Sequence, residues 1–218
     1  MAQTIDRTVS MDQSNRPGHI GTRPSVRIAS QEHTPQVADT LAAAFLADPV
    51  AMWLVPDDSR RMPLMRRFFQ TVLDKVWQGG RLIYTAGDIQ AASVWVLPGR
   101  AQLTDEEAGA VMPALAEIFG DRRPALEVLM SSMDEHHPHE PHYYLPFIGT
   151  RPESQGQGLG SAILRPALVR ADRDGMPAYL EATTERNRAL YERHGFVVIG
   201  RLEVPDGPTM FQMWRGPR

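Results

Sequence analysis

Arg151-Pro-Glu-Ser-Gln-Gly-Gln-Gly-Leu-Gly-Ser161 decides the fold, because the apolar run Tyr143 to Ile148 leads into it and an apolar-periodic helix follows. Gly156, Gly158 and Gly160 carry no Cβ, so the backbone can turn tightly and aim successive N–H groups at one anion. The start of the following helix adds unpaired N–H donors and about half a positive charge, which suits a pyrophosphate without any lysine. A P-loop would place Lys-Ser/Thr directly after its last glycine, and no lysine follows here. A dinucleotide fold wants Gly-x-Gly-x-x-Gly and an acid about twenty residues further on. Glu181 lies at that spacing, but Ile163 or Ser161 stands where the third glycine belongs.

The remaining class of loop is the acyl-coenzyme A cradle, Gln/Arg-x-x-Gly-x-Gly/Ala, which Gln155-Gly156-Gln157-Gly158-Leu159-Gly160 matches. With Leu180-Glu-Ala-Thr-Thr-Glu-Arg-Asn187 and Leu190-Tyr-Glu-Arg-His-Gly-Phe196 downstream, the chain resembles the GNAT superfamily of N-acetyltransferases from about Val26 to its C-terminus. Within it, enzymes of the puromycin N-acetyltransferase type share Gln-Gly-x-Gly-Leu-Gly-Ser-Ala, Tyr-Glu-Arg-x-Gly-Phe, Glu140-Pro141 and the ending Glu203-Val-Pro-Asp-Gly-Pro208. The resemblance implies an α+β fold whose mixed, mostly antiparallel sheet is flanked by helices and splays between Tyr143–Thr150 and Ala178–Ala182. It implies acetyl-CoA as co-substrate. Backbone groups of Ile148, Gly149 and Thr150 would pair with its pantetheine arm, Gln155, Gly156, Gln157, Gly158, Leu159, Gly160 and Ser161 would hold its pyrophosphate, and Asn187 would bond the arm. The resemblance does not fix the acceptor; a small-molecule amine is the expected one, on a monomer or homodimer.

Composition bounds the rest. The 218 residues, 42% hydrophobic, suit one domain over residues 25–218, with polar residues 1–24 as a flexible extension lacking a signal peptide's apolar core. A net charge of −3 gives no basic face for nucleic acid. No run reaches the roughly eighteen apolar residues of a membrane helix, so a cytoplasmic location is expected. Zero cysteines exclude disulfides, thiolate metal sites and a cysteine nucleophile, leaving direct transfer to the acceptor.

Periodicity places a strand at Val26–Ala29, then a helix capped by Thr34 with Pro35 first inside it. An irregular stretch, Asp48 to Asp58, precedes a helix from Ser59 to Trp77 ended by Gly79-Gly80. Arg81–Thr85 and Ile89–Leu97 read as a hairpin. Thr104 with Glu107 is a capping box opening a helix to Phe119, and Pro124 starts another to Asp134. After the glycine loop come a helix to Arg173, the strand Ala178–Ala182, a short helix, and strands Val197–Val204 and Met210–Trp214.

Amine acetylation needs a proton donor for the leaving thiolate and an acceptor for the ammonium proton. Tyr191 is the candidate acid, since a phenol stays protonated at neutral pH and the family uses the tyrosine of this motif so. Packing with Leu190 and Phe196 is its alternative reading, as an N-cap is for Asn187. Glu140, His142 and Glu181 are the candidate bases, with Glu181 also readable as a hydrogen-bonded structural acid beside the acceptor. Tyr144 alternates with His142 along the same strand, and Met52 and Trp53 are candidate acceptor walls. Glu135-His-His-Pro-His-Glu-Pro-His142 has metal-ligand types, but two prolines break any regular face and a solvated loop is the plainer reading. An acyl-CoA-binding module without turnover is the rival function, and a protein amine the rival acceptor.

Overall fold

The computed structural model describes residues 24–76, 81–100 and 104–218. The expected extension (up to residue 23), Trp77 and the Gly79-Gly80 stop lie outside them. Seven strands form one sheet in the order β1-β2-β3-β4-β5-β7-β6: β1 Val26–Ile28, β2 Arg81–Ala86, β3 Ala91–Val96, β4 Tyr143–Thr150, β5 Ala178–Ala182, β6 Val197–Glu203 and β7 Thr209–Arg215. Every pairing is antiparallel except β4 with β5. This is the expected mixed α+β sheet.

Helices α1 Thr34–Phe45, α2 Pro49–Leu54, α3 Asp58–Val76, α4 Asp105–Phe119 and α5 Arg123–Glu135 precede β4, while α6 Leu159–Arg173 and α7 Glu185–Arg193 follow it. One core joins Val37, Leu41, Phe69, Leu73, Ile118 and Leu202. A second joins Trp95, Tyr143, Ile163, Leu164, Leu180 and Phe196, and a small third joins Val96, Tyr144 and Tyr179. Burying each such side chain contributes about 1.5–3 kcal/mol, so the two large clusters hold the helices against the sheet. Gly149 lets α1 lie against β4, because a Cβ there would come within 2.6 Å of the Ala44 Cβ.

Two expectations need correction. The hairpin's second strand starts at Ala91, not Ile89: the ladder ends at Ala86 with Ala91, and residues 87–90 form a turn in which Gly87 (φ 62°), Asp88 (φ 55°) and Ile89 (φ 63°) are all left-handed and the Gln90 N–H donates to the Gly87 carbonyl at 3.1 Å. A run of left-handed residues departs from extended backbone, so the turn, Ile89 included, is excluded from the ladder. Residues 48–58 are not wholly irregular either. Asp48 caps α2, its Oδ1 accepting from the Val50 N–H at 2.9 Å and the Ala51 N–H at 3.4 Å, and Pro49 takes the first helical position. A smaller shift moves the start of α1 to Thr34, with a 3-10 turn at Gln31–His33 before it. The capping box opens α4 as expected, with the Glu107 N–H donating to Thr104 Oγ1 at 3.2 Å and the Thr104 N–H to Glu107 Oε2 at 2.9 Å.

Two features of β4 build the site. Val94 pairs with Phe147 and Val96 with Tyr144, so Leu145 and Pro146 together oppose Trp95 in a bulge. Proline has no N–H for a ladder, which fits it to such a position. On its other edge β4 pairs with β5 only at Tyr143–Ala178 and Tyr144–Tyr179. Beyond these pairs the two strands part.

Candidate active site

The split between β4 and β5 opens a cavity of about 400 Å³. Leu145, Pro146, Ile148, Gly149 and Thr150 line it from β4, and Glu181 and Thr183 from the end of β5. The glycine loop and the start of α6 form one end, with Asn187, Leu190 and Tyr191 of α7 beside them. Ala44, Phe45 and Asp48, from the α1–α2 corner, line it as well. Of the sequence candidates, the cavity therefore gathers Ile148, Gly149, Thr150, Gln155, Gly156, Gly158, Leu159, Gly160, Ser161, Glu181, Asn187 and Tyr191.

The loop is a cradle built in two ways. Gly156 (φ 78°) and Gly158 (φ 79°) are left-handed, and a Cβ on either would meet nothing within 4 Å. Both positions thus bring bare backbone to open space in a conformation that costs an L-residue about 1–2 kcal/mol. Gly160 is different: its φ is not left-handed and a Cβ there would meet Leu190 at 3.5 Å, an ordinary contact, so neither strain nor crowding demands glycine at this position. Ala162 donates the first intrahelical bond, to the Gly158 carbonyl at 3.0 Å, leaving the N–H groups of Leu159, Gly160 and Ser161 without helical partners. The loop is braced from the hairpin tip, since Ser154 Oγ donates to Gln90 Oε1 at 3.0 Å and the Arg151 N–H to the Gln90 carbonyl at 2.9 Å. We expect Gly158→Val to weaken acyl-CoA binding at least tenfold in calorimetry, by adding both strain and a branched side chain where the phosphates would approach. Unchanged affinity in a folded variant would remove the cradle assignment.

Glu181 carries the most perturbed carboxylate of the cavity. Tyr144 Oη donates to its Oε2 at 3.0 Å. Its Oε1 is buried with no hydrogen-bond partner, the one carboxylate oxygen in that condition among the described residues. Burial pushes its pKa up to about 7, against the lowering effect of the Tyr144 and Tyr179 hydroxyls and its own N–H. Asp48 is also buried, and its Oδ2 accepts from Thr183 Oγ1 at 2.5 Å. Burial raises its pKa, with the Thr183, Val50 and Ala51 hydrogen bonds opposing. Asp48 was not among the sequence candidates; its signal was an Asp-Pro pair able to cap a helix.

Tyr191 is buried at 4% exposure, and its hydroxyl makes no hydrogen bond with the described residues. Burial, then the Asp48 carboxylate, raise its pKa, so it is a phenol at every physiological pH. It also packs on Phe196 with ring centroids 6.0 Å apart. The Asn187 N–H donates to Thr184 Oγ1 at 3.1 Å; Thr184, not Asn187, is therefore the N-cap of α7.

Other candidates stand apart from the cavity. Glu140 is exposed on the loop before β4. His142 is buried among the rings of His137, Tyr144, Tyr179 and Trp214, with its Nδ1 2.6 Å from the Glu140 carbonyl. Burial lowers its pKa. Tyr144 reaches the site only through its bond to Glu181. Gln157 is exposed, its amide 3.5 Å from the Glu153 carbonyl. Met52 points outward at 46% exposure. Trp53 packs under Arg122, whose guanidinium lies 5.5 Å from its ring centroid, and against the turn holding Gly207. None of Glu140, His142, Tyr144, Gln157, Met52 or Trp53 lines the cavity.

Comparison with known proteins agrees with this geometry. Residues 103–196 match the acetyltransferase (GNAT) family model. An uncharacterized N-acetyltransferase of Schizosaccharomyces pombe is 27% identical over 181 residues, spanning 74% of this chain and 70% of that one. A crystal structure from Corynebacterium glutamicum, described as histone acetyltransferase HPA2 and related acetyltransferase, is 29% identical with a TM-score of 0.70, over 90% of this chain and 98% of that one. A polyamine N-acetyltransferase of Drosophila melanogaster shares the fold at 16% identity, with a TM-score of 0.57 over 88% of this chain and 99% of that one.

Proposed function

We propose that this chain is an N-acetyltransferase of the GNAT superfamily and that it moves the acetyl group of acetyl-CoA directly to a primary amine of a small molecule. The observation that carries this reading is the cavity through the β4–β5 split, which has bare backbone and a helix start at one end and two acids, Asp48 and Glu181, on its walls. At about 400 Å³ it has the size of a small-ligand pocket. The Drosophila relative described as a polyamine N-acetyltransferase supports a small amine; the Corynebacterium relative's description as a histone acetyltransferase makes a protein amine the second arm of the test. The likeness to puromycin N-acetyltransferase-type enzymes rests on segments such as Gln155–Ala162 and Tyr191–Phe196, on the cofactor side of the cavity, so it supports the co-substrate and leaves the antibiotic itself without support.

In this reading the N–H groups of the Gly156–Ser161 loop bind the pyrophosphate, and the parted edge of β4 at Ile148–Thr150 aligns the pantetheine arm. The acceptor enters beside Asp48 and Phe45 as an ammonium ion, attracted by the two carboxylates. Glu181 Oε1, which has no other partner, takes one proton from it. The neutral nitrogen then attacks the thioester carbonyl, the C–S bond breaks, and Tyr191 Oη gives its proton to the leaving thiolate. Solvent restores the Tyr191 proton and removes those left on Glu181 and the amide nitrogen. Glu140 and His142, which do not line the cavity, have no part in these steps.

Two measurements test the reading. Thiol release over a panel of small amines and histone-tail peptides should show turnover with the small amines; acetyl-CoA binding with no thiol release in the presence of any amine would favour the non-catalytic module. Because the chain has no cysteine, acetyl-CoA alone should leave no acyl-enzyme in mass spectrometry. A turnover-competent adduct would overturn direct transfer.

A further inference from the structure

His194 ends α7 and belongs to no step above, yet its Nε2 lies 3.0 Å from Ser161 Oγ. Ser161 is the third residue of α6, it lines the cavity, and its N–H is one of the three without a helical partner. A phosphate at that helix start would draw the Ser161 hydroxyl proton toward itself, and the Ser161 oxygen would then accept from His194. His194 is therefore one side chain removed from the anion.

The charges around the ring are nearly all positive. Arg165 faces it from α6, Arg193 from its own helix and Arg215 from β7, where the Arg215 Nε donates to the His194 carbonyl at 3.0 Å. Arg218 comes close as well, since its guanidinium occupies the space that a Cβ on Gly195 would take. The nearby acid, Asp172 of α6, is already held by Arg215 at 2.7 and 2.8 Å and by the Arg218 N–H. Burial first, then Arg165, Arg193 and Arg215, lower the His194 pKa, so without an anion the ring is neutral near pH 7. The arrival of phosphates reverses the sign of the nearest charge.

We infer that His194 is a positioning residue that takes up a proton, through its contact with Ser161, when the phosphates of the cofactor enter the Gly156–Ser161 cradle. This rests on the acetyl-CoA reading. It makes cofactor affinity fall as pH rises through the bound-state titration of His194, by up to about tenfold per pH unit for one proton.

The probe is 3′-dephospho-coenzyme A, whose pyrophosphate does not itself titrate near neutrality, added to the full-length protein. Calorimetry at about pH 6.5 in buffers of different ionisation enthalpy reads protons taken up on binding. The wild type should take up a substantial fraction of one proton. His194→Gln keeps a donor near the Nε2 position but cannot titrate, so it should bind while losing that uptake and flattening the pH dependence of Kd. Ser161→Ala, which leaves His194 in place but cuts its link, should also lose most of the uptake and decides the matter if His194→Gln does not fold. Wild-type binding without proton uptake, or uptake that survives in a folded variant, would overturn the inference alone. No binding by the wild type would overturn the acetyl-CoA reading and this inference together.

Discussion

Glu181→Gln is expected to lower kcat with an amine acceptor by about a hundredfold to ten-thousandfold, the range typical of removing a general base. The substitution keeps an oxygen to accept from Tyr144, so the fold and acetyl-CoA affinity should survive. With its pKa pushed up to about 7, Glu181 is ionised only above that pH, and wild-type kcat should rise with pH up to about 7 and then level off. That limb should vanish in the variant. Stability should move the other way. A carboxyl whose folded pKa exceeds its unfolded value binds more protons when folded, so its burial destabilises the fold increasingly as pH climbs from about 4.5 through about 7. The full difference is on the order of 3 kcal/mol. Glu181→Gln should therefore melt higher than the wild type at alkaline pH and about equally in acid. A variant with near-normal kcat and an unaltered pH limb would return the base to another group.

Local chemistry made much of the fold legible. The Thr104–Glu107 box, the apolar stripe of α3 and the glycine loop after an apolar strand each declare their structure within a few residues. The chain order of strands and helices then follows. The errors fall where conformation depends on something outside the window. Ile89 is β-branched and reads as strand, but its carbonyl accepts from Thr40 Oγ1 at 2.5 Å across 49 residues, and the turn holds it at positive φ. Residues 49–54 fold as a helix too short for its period to show. At the site, the glycine loop and Tyr191 stood out in the sequence because each belongs to a continuous segment with a recognisable pattern, and the fold brings both to the cavity.

The acids were harder to rank. Glu140, His142 and Glu181 are chemically comparable in a sequence, and they separate only when β4 and β5 part after two residue pairs. That divergence leaves Glu181 facing the gap while Glu140 stays in solvent and His142 sinks among four aromatic side chains. Asp48 shows the same dependence on distant chain, since its buried contact with Thr183 spans 135 residues. No periodicity encodes such a meeting.

Tyr191→Phe is expected to slow the chemical step by about a hundredfold or more, a loss of roughly 3 kcal/mol in transition-state stabilisation. The ring packs on Phe196 and is almost wholly buried, so phenylalanine keeps that contact and the fold should be unchanged. The hydroxyl makes no hydrogen bond with the described residues, so its removal strands no partner, and acetyl-CoA affinity should be preserved. The loss should therefore appear in kcat and not only in KM. Burial and the Asp48 carboxylate keep the phenol protonated, so no titration of Tyr191 should be visible in the pH profile up to at least pH 10. The defect should shrink when the leaving thiol is made more acidic, because a better leaving group needs less protonation. It should persist in full in the Glu181→Gln background only if donor and base act in separate steps; a double variant no slower than the slower single variant would mean that the two work as a unit. If Tyr191→Phe kept a normal kcat with chemistry rate-limiting, the hydroxyl would be no acid, and Tyr191 would serve only to pack the wall of the cavity.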